Sequence, residues 1–261
     1  MNFNEKIKSK CFEKNNRLCL GLDIDNNLLE NTSLDYMNSY IEDIINATID
    51  LCPIYKVNFS FYERYGSKGY KILEKIPEYI NNRAISIADA KRGDIGNSSI
   101  YYAKSIFDYL GYDSITVSPY MGRDSIEPFI NYKEKGVFVL GLTSNIGSND
   151  FQKLNVNNVA VYKLVIKLCN SMNKYNNIGL VIGATNDKDL KDVESVSSPI
   201  PWLMPGIGFQ GGNLEKSLKI GEENFLSIIN VSRGILTNKN KHVEDIKEAT
   251  LNYTLKIRDL I

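Results

Sequence analysis

Apolar residues along this chain fall into two kinds of run. Short runs of strand length cover Leu18 to Asp23, Ile54 to Phe59, Ala84 to Lys91, Ser114 to Ser118, Val137 to Thr143, Gly179 to Ala184, Trp202 to Pro205 and Phe225 to Val231. They are rich in Ile, Val and Leu, as strands buried on both faces require. Between them, apolar positions recur at helical spacing. In "LDYMNSYIEDIINATIDLC" at 34–52, Tyr36, Tyr40, Ile44, Ile45 and Ile49 line one stripe of a helix. The same pattern predicts helices over 62–81, 97–110, 124–134, 157–173, 186–195, 213–221 and 241–260, with one more over 3–15 ahead of the first strand.

Strict alternation of strand and helix implies parallel strands joined by right-handed crossovers. Eight such units in 261 residues fit the α/β class as a closed (β/α)8 TIM barrel better than an open doubly wound sheet of five or six strands. No low-complexity linker or short repeat divides the sequence, so residues 1–261 are expected to form a single domain. The extra N-terminal helix is expected to cap the bottom of the barrel.

Composition narrows the class of function. Lys plus Arg equals Asp plus Glu at 31 each, so no global field favours a nucleic acid or an anionic membrane surface. The opening "MNFNEKIKSKCFEKNN" is charged, without the apolar stretch of a signal peptide or membrane span, and a cytoplasmic protein is the expectation. Cys11, Cys19, Cys52 and Cys169 show no CxxC spacing and read as buried reduced thiols. The one histidine, His242, lies in a polar stretch opening the last helix and reads as a surface residue. That leaves little material for a histidine-rich zinc site or a Ser-His-Asp triad.

In a barrel of this kind the chemistry sits at the C-terminal ends of the strands. The first strand ends in Asp23, with Asp25 beyond it. The second carries Lys56 and Asn58, two apart and so on one face; the third carries Asp89 and Lys91 in the same relation. The fifth ends "GLTSN", the seventh "MPGIGFQGG" and the eighth "VSRG". Two lysines and two or three aspartates thus converge on one mouth. Gly206 to Gly211 spells GxGxxG, but it comes late in the chain with no acidic residue in "FLSIIN" to hold a ribose, so a dinucleotide site is a poor fit. A glycine-rich turn followed by Arg233 suits a phosphate instead. The residues point to an enzyme acting on a phosphorylated small molecule.

The segments "LGLDID", "YKVNFSFYE", "DAKRGDIGNSS", "PGIGFQGG" and "VSRG" resemble, in order from position 20 to 234, the longer, often bacterial branch of the orotidine 5'-phosphate decarboxylase family. The resemblance implies a TIM barrel that works without metal or organic cofactor, as a homodimer with active sites at the subunit interface. The implied reaction converts orotidine 5'-phosphate to uridine 5'-phosphate and carbon dioxide, the last step of de novo UMP synthesis. It also implies roles. Asp23 and Lys56 hydrogen-bond the ribose hydroxyls, Lys56 fixes Asp89, and Asn58 lies close by. Asp89 and Lys91 flank the substrate carboxylate and C6, with Lys91 as proton donor. Asp94 and Ser98 enter the partner subunit's site, and Ile95 belongs to the substrate-binding set. Ser144, or Thr143 in its place, contacts the pyrimidine, Gln210 and Arg233 grip the phosphate, and Pro205 and Gly212 belong to the substrate-binding set. Arg92 is left over as a solvated or interface charge. Two positions depart from the family pattern: Asn213 replaces an acid after the two glycines, and Met204 replaces a small residue before Pro205.

The DxKxxD core is shared with magnesium-dependent phosphosugar barrels of the 3-keto-gulonate 6-phosphate decarboxylase and hexulose phosphate synthase type. Those carry an extra acidic ligand near the first or second strand, where this chain offers Lys56 and Asn58. A non-catalytic ligand-binding barrel is the reading from another class. Retention of both lysines and all three aspartates weighs against it.

Overall fold

All eight apolar runs form strands, with bounds shifted by one or two residues. The computed structural model describes residues 1–183, 187–207, 213–238 and 240–261. Its strands are β1 (Leu18–Gly21), β2 (Ile54–Asn58), β3 (Ile85–Arg92), β4 (Ser114–Val117), β5 (Gly136–Leu142), β6 (Ile178–Ile182), β7 (Pro201–Met204) and β8 (Leu226–Val231). Each pairs in parallel with its neighbours, and β1 also pairs with β8, so the sheet closes on itself. Closure removes the unpaired edges that a parallel sheet would otherwise expose.

A helix follows every strand. Counting the N-terminal helix as α1 (Phe3–Glu13), the outer ring is α2 (Leu34–Thr48), α3 (Ser67–Ile80), α4 (Gly96–Lys104), α5 (Arg123–Ile130), α6 (Val161–Met172), α7 (Asp187–Glu194), α8 (Leu214–Asn224) and α9 (Val243–Arg258). Two apolar layers result. The outward strand side chains, such as Leu20, Val57, Ile115 and Val139, pack with helix residues such as Ile41, Ile44 and Ile76. The inward ones, including Cys19, Ile54, Ile87, Phe138, Leu203 and Ile228, fill the barrel.

Three helices differ from the sequence expectation for local reasons. The segment 62–81 is interrupted at Gly66, whose φ of +59° takes the chain out of the right-handed helix between a single turn at Ser60–Glu63 and α3. The helix expected from 157 begins only at Val161, because Asn155–Val156 and Val159–Ala160 pair as a small antiparallel hairpin. At 97–110, α4 gives way after Lys104 to a π-helical turn over Ser105–Tyr109.

The N-terminal helix closes the bottom, as expected. Asn2 caps it with a reciprocal bond to Glu5. Its Phe3, Ile7 and Cys11 join the inner apolar layer, and Phe3 meets Phe138 edge-on at a ring separation of 6.2 Å. Gly136 makes this possible: a Cβ there would lie 2.1 Å from the Phe3 ring. Asn4 Nδ2 donates to the Ile178 carbonyl at 3.1 Å, and Lys6 pairs with Asp113 at 2.7 Å. The opposite, C-terminal end of the barrel is left open.

All four cysteines are free and buried, and burial pushes the Cys11, Cys52 and Cys169 thiols up to about 12. They are inert at neutral pH. His242 stands at the N-cap of α9 on the surface, 3.6 Å from Glu30. Among the described residues, no helix is long and apolar enough to cross a membrane.

If α1 is an integral plug, Phe3→Ala removes a buried aromatic ring from the barrel floor. It is expected to lower unfolding free energy by about 3 kcal/mol in a urea titration. A loss below about 1 kcal/mol, the size of an ordinary surface change, would contradict the plug.

Candidate active site

The open end holds a cavity of about 520 Å³. Its floor is built by register. In the parallel ladder Gly21 lies beside Lys56, and Asn58 beside Asp89, so the last inward positions of β1, β2 and β3 come to one height. Asp23 follows two residues beyond β1. The chain folds this way because the lower inward residues of the strands are uncharged and, apart from Ser114 on β4, apolar or glycine, and charge begins where the interior opens.

Asp89 is the hub. It is 8% exposed, yet its carboxylate is fully engaged. Lys56 Nζ donates to Oδ2 at 2.9 Å, Lys91 Nζ donates to Oδ1 at 2.7 Å, and the Thr116 hydroxyl donates to Oδ1 at 2.9 Å. Lys56, 5% exposed, also approaches Asp23 Oδ1 at 3.6 Å. Burial alone would raise the Asp89 carboxyl, but the two ammonium groups outweigh it and hold it well below the usual carboxylate range. Burial alone would likewise lower the Lys56 ammonium, and the charges of Asp23 and Asp89 push it above the usual lysine range instead. The Lys91 side chain is half exposed and reaches the cavity side of Asp89.

Asp89 and Lys91 meet as the sequence implies, though not by simple alternation. The β3–β4 register slips between Ala88 and Arg92, and Lys91 takes a φ of +46°. Arg92, expected as a solvated or interface charge, is not solvated: its side chain is part-buried within this chain. It pairs with Glu63, donates to the Ala90 carbonyl at 3.3 Å and lies over the rings of Phe59 and Tyr102 at 5.7 and 5.3 Å. A part-buried clamp of this kind holds the outer side of the irregularity in place.

The other expected residues divide into three groups. Asn58, Ser144, Thr143, Pro205 and Arg233 line the same cavity as the charged residues. Asn58 Oδ1 accepts from the Ser60 hydroxyl at 2.9 Å, and the Thr143 hydroxyl donates to Asn145 Oδ1 at 2.6 Å while accepting from Gln152. Asp94, Ile95 and Ser98 do not line it. They lie at the start of α4, where Asp94 accepts from the Ile95 amide and Ile95 and Ser98 are exposed. Gln210 and Gly212 lie outside the described residues.

Several cavity residues escape the strand-end reading. Thr116, Gln152, Asn230 and Ser232 all line it. Asn230 Oδ1 and Ser232 Oγ are buried and make no hydrogen bond to the described residues, and Asp23 Oδ1 has only the longer approach of Lys56. Buried polar atoms without partners are uncommon, and the residues that carry these three all line the cavity. The period-two rule that selects Lys56 and Asp89 also selects Thr116 on β4. An uncharged polar residue in a strand carries a weaker signal than a charge. Among the described residues, no three His, Cys, Asp or Glu side chains gather as a metal-binding group.

This geometry can hold a polyhydroxylated, phosphorylated ligand between acids and amines, with Arg233 lining the same cavity. The family model described as orotidine 5'-phosphate decarboxylase / HUMPS family matches residues 16–249. An orotidine 5'-phosphate decarboxylase of Dehalococcoides mccartyi is 44% identical, with 90% of this chain and 89% of that protein covered. One of Flavobacterium johnsoniae is 38% identical over 98% of this chain and 97% of its own length. The solved structure of Leishmania donovani OMP decarboxylase superposes with a TM-score of 0.86 at 33% identity, with all of both chains covered. A match that spans the barrel from before β1 into α9, with relatives of the same length, establishes that the chain belongs to the orotidine 5'-phosphate decarboxylase / HUMPS family.

Proposed function

We propose that this chain decarboxylates orotidine 5'-phosphate to uridine 5'-phosphate and carbon dioxide, completing UMP synthesis in the cytoplasm, with residues 1–261 acting as one catalytic domain. The observation that carries the reading is the alternating array Asp23, Lys56, Asp89, Lys91 at the open end of the barrel. The curated relatives bear the same activity in their names, which favours it over the phosphosugar reactions of neighbouring barrels.

Loss of carbon dioxide from C6 of the pyrimidine leaves an electron pair in the ring plane, where no conjugated sink accepts it. Stabilisation has to come from the protein's charges, and every tenfold in rate takes about 1.4 kcal/mol of selective transition-state stabilisation. In our reading the C6–carboxylate bond breaks, carbon dioxide departs, and the pair left on C6 is attracted by the Lys91 ammonium. That ammonium then gives its proton to C6 and is reprotonated from water. Asp89 stands beside the departing carboxylate and is relieved of a like charge as it leaves. Asp23, Lys56 and Asn58 take the ribose, Ser144 the pyrimidine, and Pro205, Gln210, Gly212 and Arg233 the phosphate. The two lysines already neutralise the acids that a cation would need, which supports a reaction without metal or cofactor.

Asp94, Ile95 and Ser98 are assigned to the neighbouring subunit's site in a homodimer. Their place outside this cavity supports that reading, as does the run of exposed apolar side chains beside them: Ile95, Ile100, Tyr101, Tyr120 and Met121. A non-catalytic barrel would have no use for two buried or half-buried lysines held against one carboxylate.

Incubating the purified protein with orotidine 5'-phosphate and EDTA is expected to lower the absorbance on the long-wavelength side of the substrate's ultraviolet band, with uridine 5'-phosphate as product. No change, or activity only after magnesium is added, contradicts the reading.

Linkage supplies a second test. Asp89, held low, contributes stability that is fully present above its unfolded value of about 4 and is lost as pH falls toward its folded value. Lys56, held high, contributes stability that is fully present below about 10.4 and is lost as pH rises beyond it. Both contributions are therefore constant between about pH 5 and 9. Asp89→Asn is expected to destabilise by about 3 kcal/mol, leaving two ammonium groups short of their counter-charge. In urea titrations its deficit should be equal at pH 5, 7 and 9. A deficit that shrinks toward pH 5 would mean that the carboxyl takes up a proton near neutrality, and the array would not be charged in advance.

A further inference from the structure

We propose that Thr116 is a positioning residue for the Asp89–Lys91 pair, acting through its hydroxyl; the inference rests on the decarboxylase reading of this site. Between the register pairs Ala88–Ile115 and Arg92–Val117, β3 runs through Asp89, Ala90 and Lys91 while β4 offers Thr116 alone. Three residues facing one cannot all be served by a regular ladder. The Lys91 amide finds its acceptor in a side chain instead, donating to Thr116 Oγ1 at 2.9 Å. The same oxygen donates to Asp89 Oδ1 at 2.9 Å, and that Oδ1 accepts the Lys91 ammonium at 2.7 Å.

The bonds form a closed ring: Lys91 amide to Thr116 hydroxyl, hydroxyl to Asp89 Oδ1, and Lys91 ammonium back to that Oδ1. Its polarity is fixed by chemistry. A backbone amide can only donate and a carboxylate can only accept, so the hydroxyl between them has to accept from one and donate to the other. Ser can do this at the same position; Ala and Val cannot.

Two consequences follow for the site. First, the ring decides which carboxylate oxygen faces which lysine, because Oδ1 is held by Thr116 and Lys91 and Oδ2 is left to Lys56. Second, it anchors Lys91 at both ends, backbone and ammonium, although its φ of +46° is unfavourable for a residue with a Cβ and its side chain is half exposed. Thr116 is 1% exposed and faces the cavity from β4, so bulk water does not compete for its hydroxyl. The outer side of the irregularity is pinned separately, by Arg92 on Ala90 and Glu63. Loss of the hydroxyl is therefore directed at the aim of Lys91 rather than at the course of the strand.

The test compares Thr116→Ser, Thr116→Ala and Thr116→Val in the full chain with the wild type, measuring kcat and KM for orotidine 5'-phosphate, Kd for uridine 5'-phosphate and the thermal midpoint. Ala and Val are expected to lower kcat about 30-fold or more, as misplacement of a reacting group does, with product affinity within about threefold of wild type. Ser, which restores the hydroxyl without the methyl group, is expected to keep kcat within about threefold. Wild-type kcat in Ala and Val overturns the proposal whatever their thermal midpoints, and so does a Ser variant as slow as Ala. A parallel collapse of product affinity, or failure of Ala and Val to fold, makes Thr116 an element of the fold and also overturns it. An inactive wild type instead removes the decarboxylase reading, and this role with it.

Discussion

A carboxylate buried at the mouth of a barrel between two ammonium groups is the interaction on which the rest of this molecule turns. Asp89 is almost wholly withdrawn from water, and an isolated charge in such a place would be neutralised by protonation. It stays charged because Lys56 and Lys91 meet one oxygen each, at 2.9 and 2.7 Å, and Asp23 lies behind Lys56. Each opposite neighbour favours the charged form of the next. The array is ready before a substrate arrives, which is what electrostatic catalysis demands of a site.

The barrel exists to hold that array at one height. Parallel pairing of β1, β2 and β3 sets Gly21 beside Lys56 and Asn58 beside Asp89. Below them the interior is uncharged, largely apolar and sealed by α1, with Phe3 seated against Phe138 where Gly136 leaves room. Stability is concentrated at the bottom of the barrel and chemistry at the top.

Much of this was legible in the sequence, because apolar period and strand-end charge are strong local signals. Eight alternating units announced the barrel, and Asp23, Lys56, Asp89 and Lys91 stood out as charges closing apolar runs. Other features depend on distant residues and left no local trace. The slip at Lys91 arises from pairing with β4, so spacing alone suggested plain alternation. Arg92 looked solvated because its partners Glu63, Phe59 and Tyr102 come from elsewhere in the chain. Thr116, Asn230 and Ser232 were hidden by being uncharged. Asp94, Ile95 and Ser98 lie at the start of α4, away from this chain's cavity, and nothing local in a sequence marks which strand-end side chains turn away from their own barrel mouth.

The central claim is that Lys91 delivers the proton to C6 from a preset position. The most direct measurement is turnover by Lys91→Ala beside its affinity for uridine 5'-phosphate. If Lys91 is the proton donor, kcat falls below about one hundredth of wild type, a deficit above about 2.7 kcal/mol, with binding of the product retained. Turnover above that fraction, with the variant folded and product bound, would contradict it.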